Sequence, residues 1–156
     1  TQEYGLVGGT LNVLGSASLG LGGKNYDYSL HNNPDKRNYL LYHILKSIDD
    51  CCLIGSDCIG GDRLPNNINI FIKNVESSRL IQMLDNNGIQ ISSGSACNSG
   101  TTLPSYVLTN IGLSDEDAHC CIRISLSGEE TYDQLHDVAN KLNECVKIIR
   151  NGAVYE

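Results

Sequence analysis

Hydrophobic positions along this chain switch between two spacings, and the switches mark its elements. Leu40, Leu41, Ile44, Leu45 and Ile48 recur at helical intervals. Asn33 stands before them as a capping residue and Pro34 suits a first helical position, so the pattern predicts a helix from Asn33 to near Asp49. A turn-rich stretch, Gly55 to Pro65, follows. Ile68, Ile70 and Ile72 then alternate with polar or aromatic neighbours, which predicts a strand. A short helix begins at Ser77 or Ser78, runs through Leu80, Ile81 and Leu84, and stops at Gly88. Ile89 to Ser92 reads as a short strand. Pro104 opens a second short helix holding Val107, Leu108 and Ile111, closed by Gly112. Ile122, Ile124 and Leu126 alternate with Cys121, Arg123 and Ser125, a further strand. Thr131 and Gln134 form a capping-box pair. They start a last helix with Leu135, Val138, Ala139, Leu142, Cys145 and Ile149 on one face and Gly152 past its end. The first 23 residues hold seven glycines and predict no helix.

The order helix, strand, helix, strand, loop, helix, strand, helix points to an α+β fold with helices packed on a small sheet. A length of 156 residues suits one compact domain, and 40% hydrophobic residues supply its core. The formal net charge is -7. Clustered Lys and Arg are what polyanionic nucleic acid and anionic membranes require, so direct binding to either is not expected. No apolar run reaches transmembrane length, and no signal-peptide pattern opens the chain. The first residues read as mid-protein sequence.

Of the seven cysteines, Cys51–Cys52 and Cys120–Cys121 are adjacent in sequence, a spacing strained for disulfides. No C-x-x-C pair occurs, so zinc-ribbon and thioredoxin motifs lack support, and no metal site is expected. Free thiols in a reducing cytoplasm follow. Six of the seven fit the reading of small buried hydrophobes, with Cys58 in a turn the hardest to place. Cys97 differs. It lies in Ser92-Ser93-Gly94-Ser95-Ala96-Cys97-Asn98-Ser99-Gly100, where no large apolar residue is present to bury it. A thiol on such a loop is a candidate nucleophile.

Arg123 shares a strand face with Cys121 and Ser125, where a guanidinium could clamp a carboxylate. Periodicity alone favours an ordinary exposed strand arginine. Gly8-Gly9-Thr10 offers N–H groups and a hydroxyl to a phosphate, but it lacks the Walker and Rossmann patterns and reads by itself as a plain turn. His31, His43, His119 and His136 lack metal-ligand spacing. Asp115, Glu116 and Asp117 read as a solvated helix start capped by Ser114.

Taken together, these residues resemble the cysteine desulfurases of the class V aminotransferases. Ser92-Ser93-Gly94-Ser95-Ala96-Cys97 is similar to their active-site loop, in the form typical of the NifS/IscS-type subgroup. The likeness extends to Pro104-Ser105-Tyr106-Val107-Leu108, Gly112-Leu113-Ser114, Ala118-His119 and Ile122-Arg123-Ile124-Ser125-Leu126. Upstream it takes in Arg63-Leu64-Pro65-Asn66-Asn67-Ile68-Asn69, Gly88-Ile89 and Gly9-Thr10-Leu11-Asn12.

The resemblance implies the small C-terminal domain of a fold-type I pyridoxal-phosphate transferase. Residues 24–156 would form that domain, with the cysteine loop at 92–100, and residues 1–23 would be a remnant of the large domain. It implies pyridoxal phosphate as cofactor, L-cysteine as substrate and L-alanine as product. Cys97 would take the sulfur as a persulfide, Arg123 would hold the substrate carboxylate, and Thr10 would reach the cofactor phosphate of the neighbouring subunit in a homodimer. A sulfur-acceptor protein, such as an iron–sulfur scaffold or a tRNA-thiolation enzyme, would receive the sulfur.

Two departures stand out. The family's cofactor lysine follows a histidine, and Lys24, Lys36, Lys46, Lys73, Lys141 and Lys147 lack that context, so the chain alone is expected to be inactive. Val7 stands where many members carry an arginine. A non-catalytic sulfur-relay or docking module, and a selenocysteine lyase or other class V enzyme, are the alternative readings.

Overall fold

The computed structural model describes residues 12–26, 33–56, 63–93 and 104–152. Its core is built on the expected helices and strands. Helix α1 spans Val13–Asn25. Helix α2, Asp35–Ser47, leads into β1, Cys51–Leu53. Strand β2, Asn67–Ile72, is followed by α3, Ser77–Asp85, and by β3, Ser92–Ser93. Two short helices, α4 at Tyr106–Asn110 and α5 at Asp115–His119, precede β4, Cys121–Ser125. Helix α6, Tyr132–Arg150, completes the order.

The four strands form one antiparallel sheet in the order β1-β2-β4-β3. Alternation along β2 buries Ile68, Ile70 and Ile72 on one face, and β4 adds Ile122 and Ile124 to it. Helices α2, α3 and α6 close over that face with Leu40, Ile44, Leu80, Leu84, Leu135 and Leu142. Each such side chain contributes roughly 1.5–3 kcal/mol of burial. The helix–sheet layering predicted from the two hydrophobic periods is therefore the observed one, and fold class α+β holds.

The helix ends follow local chemistry. Asn33 Oδ1 accepts from the Asp35 N–H at 2.8 Å, while Pro34 occupies the cap position itself. The Thr131–Gln134 capping box forms in both directions. Ser114 caps α5 by accepting from the Asp117 N–H. Gly112 ends α4 at φ 101°, a left-handed value that a side chain would strain. At its far end α6 is tied down by Arg150, whose guanidinium donates to the carbonyls of Asp49 and Lys73.

Three elements differ from expectation. Strand β1 falls on Cys51–Leu53, which carries no alternation of its own and gains strand geometry by pairing with Ile70–Ile72. Strand β3 is shifted to Ser92–Ser93, with Ile89 and Ile91 packing against the core instead. Helix α1 forms despite its glycines. Asn12 Oδ1 accepts from the Gly15 N–H at 2.9 Å and starts it, yet none of its residues is buried. It runs across the junction between residues 23 and 24. Among the described residues, no helix is long and apolar enough to cross a membrane.

Candidate functional site

The second face of the sheet is assembled from the polar half of each alternation. Asn67, Asn69 and Phe71 of β2 lie beside Ser125, Arg123 and Cys121 of β4 in register. Ser92 of β3 stands opposite Arg123 from the other side. Ile54, just beyond β1, donates its N–H to the Asn69 carbonyl at 2.8 Å. One row therefore crosses the sheet as Ile54, Asn69, Arg123, Ser92. Sequence reasoning singled out Arg123 but not its neighbours. The Asn-Ile-Asn-Ile alternation of β2 told which face Asn69 occupies, whereas only strand pairing decides that it stands beside Arg123.

This face has a dry end and a polar middle. Leu108 of α4, Ala118 of α5 and Cys121 are buried together, with Ile54, Phe71 and Leu113 packed against them. Burial pushes the Cys121 thiol up to about 12, with Cys120, Cys52 and Asp117 adding repulsion to any thiolate. Cys51 is pushed up to about 11, again chiefly by burial. Burial also raises Cys145. These thiols are held protonated, so as inert hydrophobes they match the sequence reading. Cys52 departs from it, being exposed at the sheet edge. Among the described residues there is no group of three metal-ligating side chains.

Beside the polar row lies an open cleft of about 320 Å³, lined by Ile54, Gly55, Arg63, Asn67, Asn69 and Leu108, among others. Arg63 shapes its wall: its Nε donates to the Ser56 carbonyl at 2.8 Å and its Nη2 donates to the Ile54 carbonyl. Gly55 sits beneath that guanidinium at φ 90°, where a Cβ would stand 3.0 Å from Arg63 Nη2. Arg37, itself buried, holds the next turn by donating to the Leu64 carbonyl at 2.9 Å.

Arg123 is thus placed mid-sheet and half-buried between two neutral strand neighbours, one of which, Asn69, lines the cleft. A guanidinium so placed has the donors to grip a carboxylate. Cys97, Cys58 and Thr10 lie outside the described residues.

A match to the aminotransferase class-V family model covers residues 2–138, and the chain belongs to that family. Among curated relatives, it is similar to the cysteine desulfurase IscS of Dictyoglomus turgidum (strain DSM 6724 / Z-1310), 32% identical over 160 residues. That match covers 100% of this chain and 40% of the relative. It is 35% identical over 153 residues to the cysteine desulfurase IscS of Clostridium botulinum (strain Hall / ATCC 3502 / NCTC 13319 / Type A), covering 94% of this chain and 38% of that one. Among solved structures, it superposes on a NifS-like protein from Rickettsia africae ESF-5 with TM-score 0.68 at 29% identity, over 90% of this chain and 36% of the other. The chain therefore spans about two fifths of the length of the curated relatives it matches.

The family depends on pyridoxal phosphate. All six lysines of this chain are among the described residues, and none lies within β2 or β4. Lys36 bonds the Gly128 carbonyl, Lys46 lies over the Tyr42 ring, and Lys141 pairs with Glu144. Lys73 follows the last residue of β2, Lys24 is on α1 and Lys147 on α6. Among the described residues, strands β2 and β4 bring a guanidinium to this face but no amine that could anchor the cofactor covalently.

Proposed function

We propose that this chain is the sulfur-accepting part of a cysteine desulfurase, and that residues 24–156 are its small domain while 1–23 belong with a large domain. The carrying observation is the position of Arg123 beside Ser92, the residue from which the chain enters the cysteine loop. Cys97 is five residues beyond Ser92. An extended chain gains at most about 3.6 Å per residue, so the thiol is tethered within about 18 Å of that strand. In this reading Arg123 is the carboxylate grip and Cys97, a few residues along the chain from its strand neighbour, is the nucleophile.

The chemistry follows from those two groups. Arg123 would hold the L-cysteine carboxylate and fix the amino acid for attack. The Cys97 thiolate would form an S–S bond to the substrate sulfur as the substrate C–S bond breaks. The electron pair of the broken bond stays with the β-carbon, which takes up a proton, leaving L-alanine and a Cys97 persulfide. Pyridoxal phosphate, supplied with its lysine by polypeptide beyond this chain, would act as the electron sink. Thr10 would contact the cofactor phosphate across a homodimer. A scaffold for iron–sulfur clusters or a tRNA-thiolation enzyme would then take the sulfur. The second reading is a sulfur-relay or docking module without catalysis.

A sulfide and alanine assay with L-cysteine, cofactor and reductant tests this. The chain alone is compared with the chain plus a polypeptide supplying the rest of its relatives' length, and with that pair carrying Cys97→Ala. Activity confined to the complete pair and abolished by Cys97→Ala supports the desulfurase. A complete pair that binds cofactor poorly and forms no alanine turns the assignment to the relay module.

A further inference from the structure

Asn69 and Arg123 are more closely placed than their shared face requires. Ile72 donates its N–H to the Cys120 carbonyl, and Leu126 donates to the Asn66 carbonyl. In an antiparallel ladder the bonded pairs alternate with non-bonded ones. Asn66–Leu126 and Cys120–Ile72 being bonded, the Asn69–Arg123 pair between them is non-bonded, with Cα atoms about 4.5 Å apart and side chains at their closest. On the other flank, Asn69 shows its backbone carbonyl to Ile54.

The Asn69 carboxamide oxygen is buried and has no hydrogen-bond partner among the described residues. A buried acceptor left in that condition is destabilising, so the oxygen is poised to take a donor. The nearest cross-strand side chain is a guanidinium, which carries five N–H donors. A bidentate carboxylate takes two, so the guanidinium can serve a neighbouring acceptor at the same time. A carboxamide oxygen accepts without bringing negative charge, so it orients the fork and leaves its charge for the ligand. An aspartate there would compete with that ligand.

We infer that Asn69 is the positioning residue for Arg123, its Oδ1 accepting a guanidinium N–H when a carboxylate occupies the fork. This rests on the reading of Arg123 as a carboxylate clamp.

The test is a titration of the full ¹⁵N-labelled chain with L-cysteine under reductant, following the Arg123 Nε–H and the Asn69 side-chain amide. Cysteamine, the same thiol and amine without the carboxylate, is the control. L-cysteine alone shifts both signals. Asn69→Ala and the near-isosteric Asn69→Asp each weaken L-cysteine binding roughly fivefold to tenfold, the effect of one lost or diverted hydrogen bond. Asn69→Gln, which keeps the carbonyl on a longer arm, recovers part of it. Thermal midpoints of the variants stay at or above that of the parent chain, because the unpaired oxygen has been removed or altered. If Arg123→Ala abolishes binding while Asn69→Ala and Asn69→Asp bind like the parent, the positioning role is overturned and the clamp stands. If affinity falls only together with the midpoint, Asn69 is structural and the inference is overturned. If L-cysteine and cysteamine act alike, the clamp itself fails and the inference with it.

Discussion

The two faces of the sheet are made from the same strands and are put to different uses. On one, Ile68, Ile70, Ile72, Ile122 and Ile124 meet the apolar stripes of three helices, the longest with 19 residues. On the other, the face of Asn67, Asn69, Arg123 and Ser125 has, among the described residues, two helices of five residues each packed over one end. The first face is closed because every residue on it gains from leaving water. The second stays partly open because its residues need partners that a hydrophobic cover cannot supply. Placing polar groups on the back of a well-packed layer gives them a rigid footing without asking them to stabilise the fold.

The sharpest way to sharpen that contrast is thiol chemistry, since the dry end of the second face should behave like the core. At pH 8 a thiol held at about 12 is thiolate in only about one molecule in ten thousand, against roughly one in ten for an ordinary thiol of pKa 9. Iodoacetamide followed by peptide mass analysis should therefore spare Cys121 and Cys145 in the native chain and modify both in urea. The sign of the linkage is set by the raised values. Folded-state protonation of Cys51 and Cys121 keeps its full stabilising effect below the unfolded thiol value near 9 and loses it as pH rises above that. Rapid native labelling of Cys121 would break the claim that α4 and α5 exclude water there.

Next in size is the energetic asymmetry. Ile70→Ala opens a cavity among fully buried neighbours and should cost about 2–5 kcal/mol in urea unfolding. Asn67→Ala, at the start of the same strand but on the opposite face, should stay within about 1 kcal/mol of the parent chain. Equal costs would mean that the second face supports the fold as much as the first.

The smallest effect concerns the loop that leads from β4 into α6. Burial by itself would raise the Glu130 carboxyl. Hydrogen bonds more than offset this and hold it below the usual value: the Ser127 N–H and hydroxyl donate at 2.6 and 2.9 Å, and the Gly128 N–H donates at 2.9 Å. A lowered folded-state value means stability present above the unfolded carboxylate range near pH 4.5 and lost as pH falls through the folded one. Glu130→Gln should remove that acid dependence and cost up to about 1 kcal/mol at pH 7. A variant with the parent's acid profile would assign the transition to another carboxylate.

Much of this arrangement was legible beforehand, and the exceptions are instructive. Helix α6 was readable from its capping box and its apolar spacing, because both are local. The faces of β2 and β4 were readable from alternation. The unremarkable cysteines were read as buried thiols from their apolar neighbours, though Cys52 proves exposed because it faces away from the core at a sheet edge. Strand β1 was missed because three residues carry no period, and helix α1 was missed because its four glycines and lack of buried residues leave no helical signal beyond the Asn12 cap.

By itself, then, the sequence determined the helices other than α1, the polarity of the β2 and β4 faces, the family likeness and the identity of Cys97 and Arg123 as candidates, since periodicity, caps and motifs are properties of short stretches. Only the tertiary structure decided which strands are neighbours. Strand order β1-β2-β4-β3 sets Asn69 and Ser92 on either side of Arg123, although Asn69 is 54 positions from it in sequence. Register is fixed by the simultaneous burial of the opposite face: a slip of one residue would turn the isoleucines of β2 to water and the asparagines into the core. The candidate site is thus the outer side of a choice made by the core.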